Sequence, residues 1–563
     1  MWTIQSISVP AGTSATIIGG AAGQTLTRQP GDVLGPQGAQ YTVLVTGLGY
    51  LTLTDVGWGT QGWAVLVNGR STWFYNGGGA VSITVDAAGN AVLNGGVGPV
   101  QERLLVGDLD LSLGGWDTIS SLNLAAANAA LASNAAELPA QFSSSGSGAA
   151  LSGSFGAWQI TGGRGQFVYL TLPITAGSLA IDGLGSVDLS GISTVMELSL
   201  RLVPSNDGST RYLSFAMQQA ATPGTPPAPG FVTGSSVIDP TGRLAGAQQA
   251  ILLGEMANAL VADAGQVAYV LASINVVAPS SGGWLTPVQS AYVFTQPTAP
   301  DMPGYLSILS VTDTREIIDL PPSVPSVLTA SSPNLAFGIA SHLFLGQQVL
   351  PALPSALGSD ASSSAFALDA TGAIVNTTQI GLGGTRAGAI TYYPQIDTLR
   401  STIVGGNLNT SVQGHCDLYA GISMTFSVSC SNGFSFNPAT QTISFQPDPN
   451  PQSDHSADIP WYFKWLAFAV GAIAEAVVAL IANSLAESLD SSISGAATLA
   501  VNDMSINWTG VHGFAATSGK LDGALVLASS QQAILIPQPE KSFYDQNNGV
   551  AVPASASAAA PPS

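Results

Sequence analysis

The stretch Pro460-Trp461-Tyr462-Phe463-Lys464-Trp465-Leu466-Ala467-Phe468-Ala469-Val470-Gly471-Ala472-Ile473-Ala474-Glu475-Ala476-Val477-Val478-Ala479-Leu480-Ile481 decides the fold. Pro460 suits a first helical position after Asp458, and no breaker follows until about Ile493, which predicts a helix of roughly 45–50 Å at about 1.5 Å per residue. Its centre has the look of a membrane span, but Lys464 and Glu475 would each cost ~2.5–3.5 kcal/mol near a bilayer centre, with Lys464 close enough to an end to snorkel. The spacing is more decisive. Ala467, Gly471, Glu475, Ala479, Asn483 and Glu487 form one i,i+4 stripe of small or polar residues. Leu466, Val470, Ile473, Val477, Leu480, Ile481 and Leu485 crowd another face. A helix cradled in a sheet is the expectation, rather than a transmembrane helix.

The rest of the 563-residue chain supplies what could cradle it. That length exceeds the point at which one core stops growing, so at least two folding units are expected. Charged residues are only 8% of the chain, and 13 Lys+Arg against 33 Asp+Glu leave a net charge of −20. A phosphate backbone is bound by cations, so nucleic acid is excluded as a partner class and anionic membrane surfaces are disfavoured. Hydrophobic residues reach 46%, ample for large cores. The N-terminus, Met1-Trp2-Thr3-Ile4-Gln5-Ser6, shows no cationic region, apolar run or cleavage site, so cytoplasmic synthesis without a signal peptide is expected, with any release by another route.

Residues 1–104 read as an all-β, sandwich-like module, with short alternating runs such as Tyr41–Thr46, Tyr50–Thr54 and Val81–Val85 separated by Gly, Pro and Asn turns. Trp58, Trp63, Trp73, Phe74 and Tyr75 cluster within it; core and turn packing is the plainer reading, and exposed rings would suit docking of a partner or sugar. Residues 105–545 form the main unit. There Asp117 is placed to N-cap a helix in which Ile119, Leu122, Ala126, Ala129 and Ala130 recur at helical spacing to Leu131. Ser143–Gly148 reads as a loop, and Ser154–Ile160 and Gln166–Leu172 as a hairpin around Thr161-Gly162-Gly163-Arg164-Gly165. A helix over 245–260 interrupts further long strands. The tail, 546–563, is rich in Ala, Ser and Pro and expected to be disordered. The predicted class is α+β.

The search for chemistry is short, because His342, His415, His455 and His512 are scattered. His415-Cys416 is the sole adjacency, and on a strand the two would point to opposite faces, so no metal site is expected. Cys416 and Cys430 read as two buried thiols, with a cross-strand bridge open. No Gly-x-Ser-x-Gly elbow occurs, Gly513 to Lys520 misses the phosphate-binding loop, and Gly162-Gly163-Arg164-Gly165 opens no helix and reads as a turn rather than an anion nest. No catalytic constellation and no cofactor emerges.

Two groups of residues carry a resemblance. Gly115-Trp116-Asp117-Thr118-Ile119 with Asn128, followed by Ser154-Phe155-Gly156-Ala157-Trp158-Gln159-Ile160-Thr161-Gly162-Gly163, resembles the clostridial "P forty-seven" and Orf-X accessory protein family, encoded beside botulinum-type toxins. Phe337-Gly338-Ile339-Ala340, Tyr392-Tyr393-Pro394-Gln395-Ile396 and Asp417-Leu418-Tyr419-Ala420-Gly421-Ile422 are similar too. The resemblance spans about 110–540 and makes Trp116, Asp117, Trp158, Gly162 and Gly163 family-signature positions. It implies the tubular lipid-binding (TULIP) architecture, a long, strongly curved antiparallel sheet wrapped around a long helix, and a non-enzymatic role in lipid binding or toxin assembly. The chain differs from the family in its extra all-β module and its low Lys and Asn content.

Two readings follow. In the first, a lipid or other amphiphile lies in an apolar groove between sheet and helix, lined by Leu466, Val470, Ile473, Val477, Leu480 and Leu485 with Ile119 and Leu122. About 0.8 kcal/mol per buried CH₂ would let a dozen methylenes offset ~10 kcal/mol of association cost. In the second, side chains fill the tube and the protein is a scaffold in a toxin complex, docking a protein partner through Trp58, Trp63, Trp73 and Tyr75.

Overall fold

A computed structural model describes residues 113–481, apart from short gaps at 147, 223–225, 278–282, 297–302, 319, 330–331, 358–361, 370, 388, 461–463, 465 and 480, together with 505–511 and 514–530. For 1–112 and 531–563 it gives the backbone pairing of strands alone. In the first of these segments the strands pair in a four-stranded sheet (Ala91–Asn94, Val81–Val85, Tyr50–Thr54, Ser6–Ser8) and a six-stranded one. Trp63, Trp73 and Tyr75 fall on its strands, but their side chains, and Trp58 altogether, lie outside the described residues. So does the tail, except for Val550–Ala551, which pairs with Tyr544–Asp545.

Where one long sheet is expected from the sequence, the strands of 113–530 divide among three large, mostly antiparallel sheets and a two-stranded one, since twist accumulates with each added strand. A six-stranded sheet runs in the order Gln289–Thr295, Tyr305–Val311, Thr118–Asn123, Leu335–Ala340, Ala524–Ser529, Ser518–Leu521. An eleven-stranded sheet is built on the long strands Phe167–Ile181 and Ser193–Pro204 and is flanked by the helix Gly246–Ala262. An eight-stranded sheet contains Gln395–Val404, Asn407–Tyr419 and Ile422–Asn437, with Gln452–Ala457 along one edge. All three contribute to one continuous apolar core, and a smaller core of Leu113, Trp116, Ile119, Leu309 and Leu328 lies against the six-stranded sheet.

The region around Asp117 corrects the sequence reading. Thr118–Asn123 is a strand, and all six of its residues are buried, so it lacks the alternation that marks a half-exposed strand. The helix starts later, at Leu124, and runs to Ser133; its N-cap is Asn123, whose Oδ1 accepts from Ala126 N at 2.8 Å. Ile119 and Leu122 therefore belong to a strand between the two cores, Ile119 in the smaller one and Leu122 in the larger. Ser143–Gly146, expected as loop, is strand: Gln141–Gly146 pairs with Ala149–Phe155. The hairpin around Gly162 is present, but its turn is shorter than the glycine run suggests. Gly162 and Gly163 lie within Gln159–Arg164, beside a bulge, and the chain reverses at Gly165, whose φ is +56°.

Candidate functional site

The helix that sequence spacing singles out is present over Leu466–Ala479, 14 residues or about 21 Å. Most of the expected continuation to Ile493, including Leu480 and Leu485, lies outside the described residues. Ala and other unbranched residues favour helix, and the apolar positions at i, i+4, i+7 give one face to bury. Leu466 and Ile473 are 0% exposed, Val477 is 2% and Val470 6%. Glu475 and Ala467 face solvent, and Phe468 is 72% exposed. An added Cβ at Gly471 would meet nothing, so that residue too lies on the open side. The helix packs on Gln452–Ala457, Ile422–Asn437 and the short strand Thr385–Ala387. Its buried side chains share one core with Leu408, Val412, Met424, Phe426 and Val428 from the inner face of the sheet. Over this length the seam is occupied by side chains. Neither a ≈ 350 Å³ cleft on the outer face of the eight-stranded sheet nor a ≈ 610 Å³ hollow beside Gly146 and Asp182 is lined by the helix. No helix among the described residues is long and apolar enough to cross a membrane.

The signature residues build a separate, polar staple. Trp116 is buried and donates Nε1–H to Pro321 O at 2.8 Å. Asp117 Oδ2 accepts from the backbone N–H of Thr312 at 2.7 Å and from its hydroxyl at 2.9 Å, while Oδ1 faces Arg315 and, at 3.0 Å, His342 Nε2. Burial pushes this carboxyl up, but the His342 hydrogen bond, the Arg315 charge and the Thr312 amide together hold it at about 2. The cluster joins the start of the central strand to a loop and a short helix some 195–225 positions downstream, a link no local sequence signal announces. Trp158 is also buried, between the rings of Phe155 at 5.3 Å and Phe215 at 6.4 Å, and its Nε1 has no hydrogen-bond partner among the described residues. Gly163 marks a close approach: a Cβ there would stand 2.4 Å from Phe167 O and 2.7 Å from the Phe294 ring.

Cys416 and Cys430 are free and buried, as the plainer reading has it. Cys416 pairs with Met424 and Thr410 with Cys430, so the thiols sit six register positions apart, about 20 Å, too far to bridge. Burial raises both to about 11. His415 and Cys416 do point to opposite faces, His415 Nδ1 lying 2.9 Å from Asp397 on the outer side. Among the described residues no group of His, Cys, Asp and Glu could hold a metal ion.

Known proteins show which family shares this chain's sequence and fold. The family model described as "OrfX-like: Protein OrfX2/OrfX3/P47" matches residues 113–507, well over half of the chain. The protein belongs to the OrfX-like/P47 family. It is 28% identical over 312 residues to Protein P47 of Clostridium botulinum strain Kyoto / Type A2, covering 54% of this chain and 72% of that protein. Among solved structures, P47 of C. botulinum A2 superposes with a TM-score of 0.61 at 24% identity, covering 74% of this chain and 98% of the other. P47 of C. botulinum E1 gives 0.60 at 24%, covering 74% and 100%. These structures share the fold of an OrfX-like/P47 chain, a family of toxin-cluster accessory proteins not named for any enzymatic activity.

Proposed function

We propose that this OrfX-like/P47 protein is a non-catalytic accessory component of a bacterial toxin system and acts as an interaction scaffold. One observation carries the reading. Over Leu466–Val477 the seam between helix and sheet is filled by the protein's own side chains, which makes the helix a structural spine and leaves outer surfaces to do the binding. The residues 1–104, with Trp58, Trp63, Trp73 and Tyr75, are the docking module in this account.

Amphiphile binding is a second reading, and a specific feature favours it: Leu466, Val470, Ile473 and Val477 form a stripe unbroken by any polar side chain, a surface that acyl methylenes could cover in place of neighbouring residues. One preparation distinguishes the two. The protein purified from its own host without detergent is analysed by native mass spectrometry, then extracted with solvent. A scaffold gives the 56.8 kDa chain alone or with a protein partner that is lost when residues 1–104 are deleted. A stoichiometric lipid in the extract overturns the scaffold and establishes the second reading.

A further inference from the structure

The outer face of the eight-stranded sheet carries a cleft that neither the helix seam nor the Asp117 cluster uses. Even-numbered residues of Asn407–Tyr419 are buried and odd-numbered ones face outward, so side chains from neighbouring strands meet in rows. Arg400, Ser411, Ser429 and Gln452 share one row across four strands, and Thr402, Asn409 and Ser431 share the next. The cleft they line with Asp448 measures ≈ 350 Å³, at the small end of the range for ligand sites.

The charged side chains at this site already hold hydrogen-bond partners. Arg400 donates to Asp369 and to the Thr371 hydroxyl. Asp448 accepts from the backbone N–H of Ser431 at 2.7 Å and of Asn450 at 2.8 Å. The Ser431 hydroxyl is fixed between Asn407 Nδ2 at 2.9 Å, from which it accepts, and Asn409 Oδ1 at 2.8 Å, to which it donates. The groups left open are neutral. The hydroxyls of Thr402, Ser411 and Ser429 have no hydrogen-bond partner among the described residues, and neither has the Asn409 amide NH₂. They stand on a grid of about 4.8 Å between strands and about 7 Å along them, the scale of one sugar ring.

We propose that this cleft binds a neutral polyhydroxylated ligand: a hexose, free or at the end of a glycan. Each open hydroxyl can donate and accept, which matches the hydroxyls of a sugar, whereas an anion would have to displace Asp369 from Arg400. No aromatic ring lines the cleft, so hydrogen bonds alone orient the ligand and the affinity is weak. The site stands apart from the helix seam and does not depend on how that seam is filled.

Saturation-transfer NMR on the full-length protein tests this, with the methyl glycosides of glucose, galactose, mannose and N-acetylglucosamine as probes and inorganic phosphate as competitor. Expected are transfer to at least one neutral glycoside, no displacement by phosphate, loss of transfer in Ser429→Tyr, and about fivefold weaker binding for each hydroxyl removed in Ser411→Ala and Ser429→Ala. An array of immobilised glycans ending in the responding hexose then separates a glycan terminus from a free sugar. No transfer to any neutral glycoside, transfer that persists in Ser429→Tyr, or displacement by phosphate overturns the proposal. Should Ser429→Tyr unfold, the double alanine variant decides, since both of its changes lie at exposed positions, and undiminished transfer in it overturns the proposal equally.

Discussion

Asp117 is a buried carboxylate that the protein keeps ionised. Burial alone would favour the neutral acid, yet His342, Arg315 and Thr312 converge on it and hold its folded-state value at about 2, below the usual carboxylate range. A depressed value means that this group contributes stability above its unfolded-state pKa near 3.9, and that the contribution fades as pH falls from about 4 towards about 2. From that shift the contribution is about 2–3 kcal/mol at neutral pH. Asp117→Asn keeps the shape and removes the charge, so it should cost about 3 kcal/mol in urea melts at neutral pH, and its deficit against wild type should shrink as the melts are repeated towards pH 3. A deficit independent of pH would mean that Asp117 acts through packing. Gly163→Ala is a steric counterpart. With a backbone oxygen and an aromatic ring both inside contact distance of the added Cβ, one methyl group should cost about 1–3 kcal/mol in the same assay, and no loss would show that both the Phe167 backbone and the Phe294 ring yield.

At the scale of the element, the 466–479 helix was legible because its period shows in the chain. Small and polar residues at i,i+4 predict the open face that Ala467, Gly471 and Glu475 occupy, and the apolar positions predict the buried one. Val477→Asp should therefore lower stability by several kcal/mol, while Glu475→Gln changes it by under about 1 kcal/mol. Denaturant melts of the two variants check this, and equal losses would refute the orientation. The segment 117–123 was not legible for the opposite reason. A strand buried on both faces carries no period of two, its Ile119 and Leu122 happen to continue the helical spacing of Ala126 in the helix that follows, and the partners of Asp117 lie some 195 positions and more away. The outer cleft escaped for a related reason: alternating Ser, Thr and Asn announce an exposed sheet face, but which of their hydroxyls stay unpaired depends on cross-strand register.

For the whole molecule, the residues Trp116, Asp117, Trp158, Gly162 and Gly163 carried the resemblance to the family that matches the chain; Trp116 and Asp117 tie the start of the central strand to a loop and a short helix far downstream, Trp158 packs between two rings, and Gly163 marks a close approach. Their resemblance also implied a single sheet wrapped about a long helix. Among the described residues the strands of 113–530 form three large, mostly antiparallel sheets and a two-stranded one, with the helix Leu466–Ala479 packed on the eight-stranded and two-stranded sheets, while most of the expected continuation of that helix lies outside the described residues. The account therefore rests on a seam filled from within and on functional surfaces that face outward. The most direct test is an experimental density map of the full-length protein purified from its own host without detergent. The account predicts side-chain density alone between Leu466–Val477 and the strand Ile422–Asn437. Continuous elongated density that no residue of the chain explains, running along that interface, would contradict it.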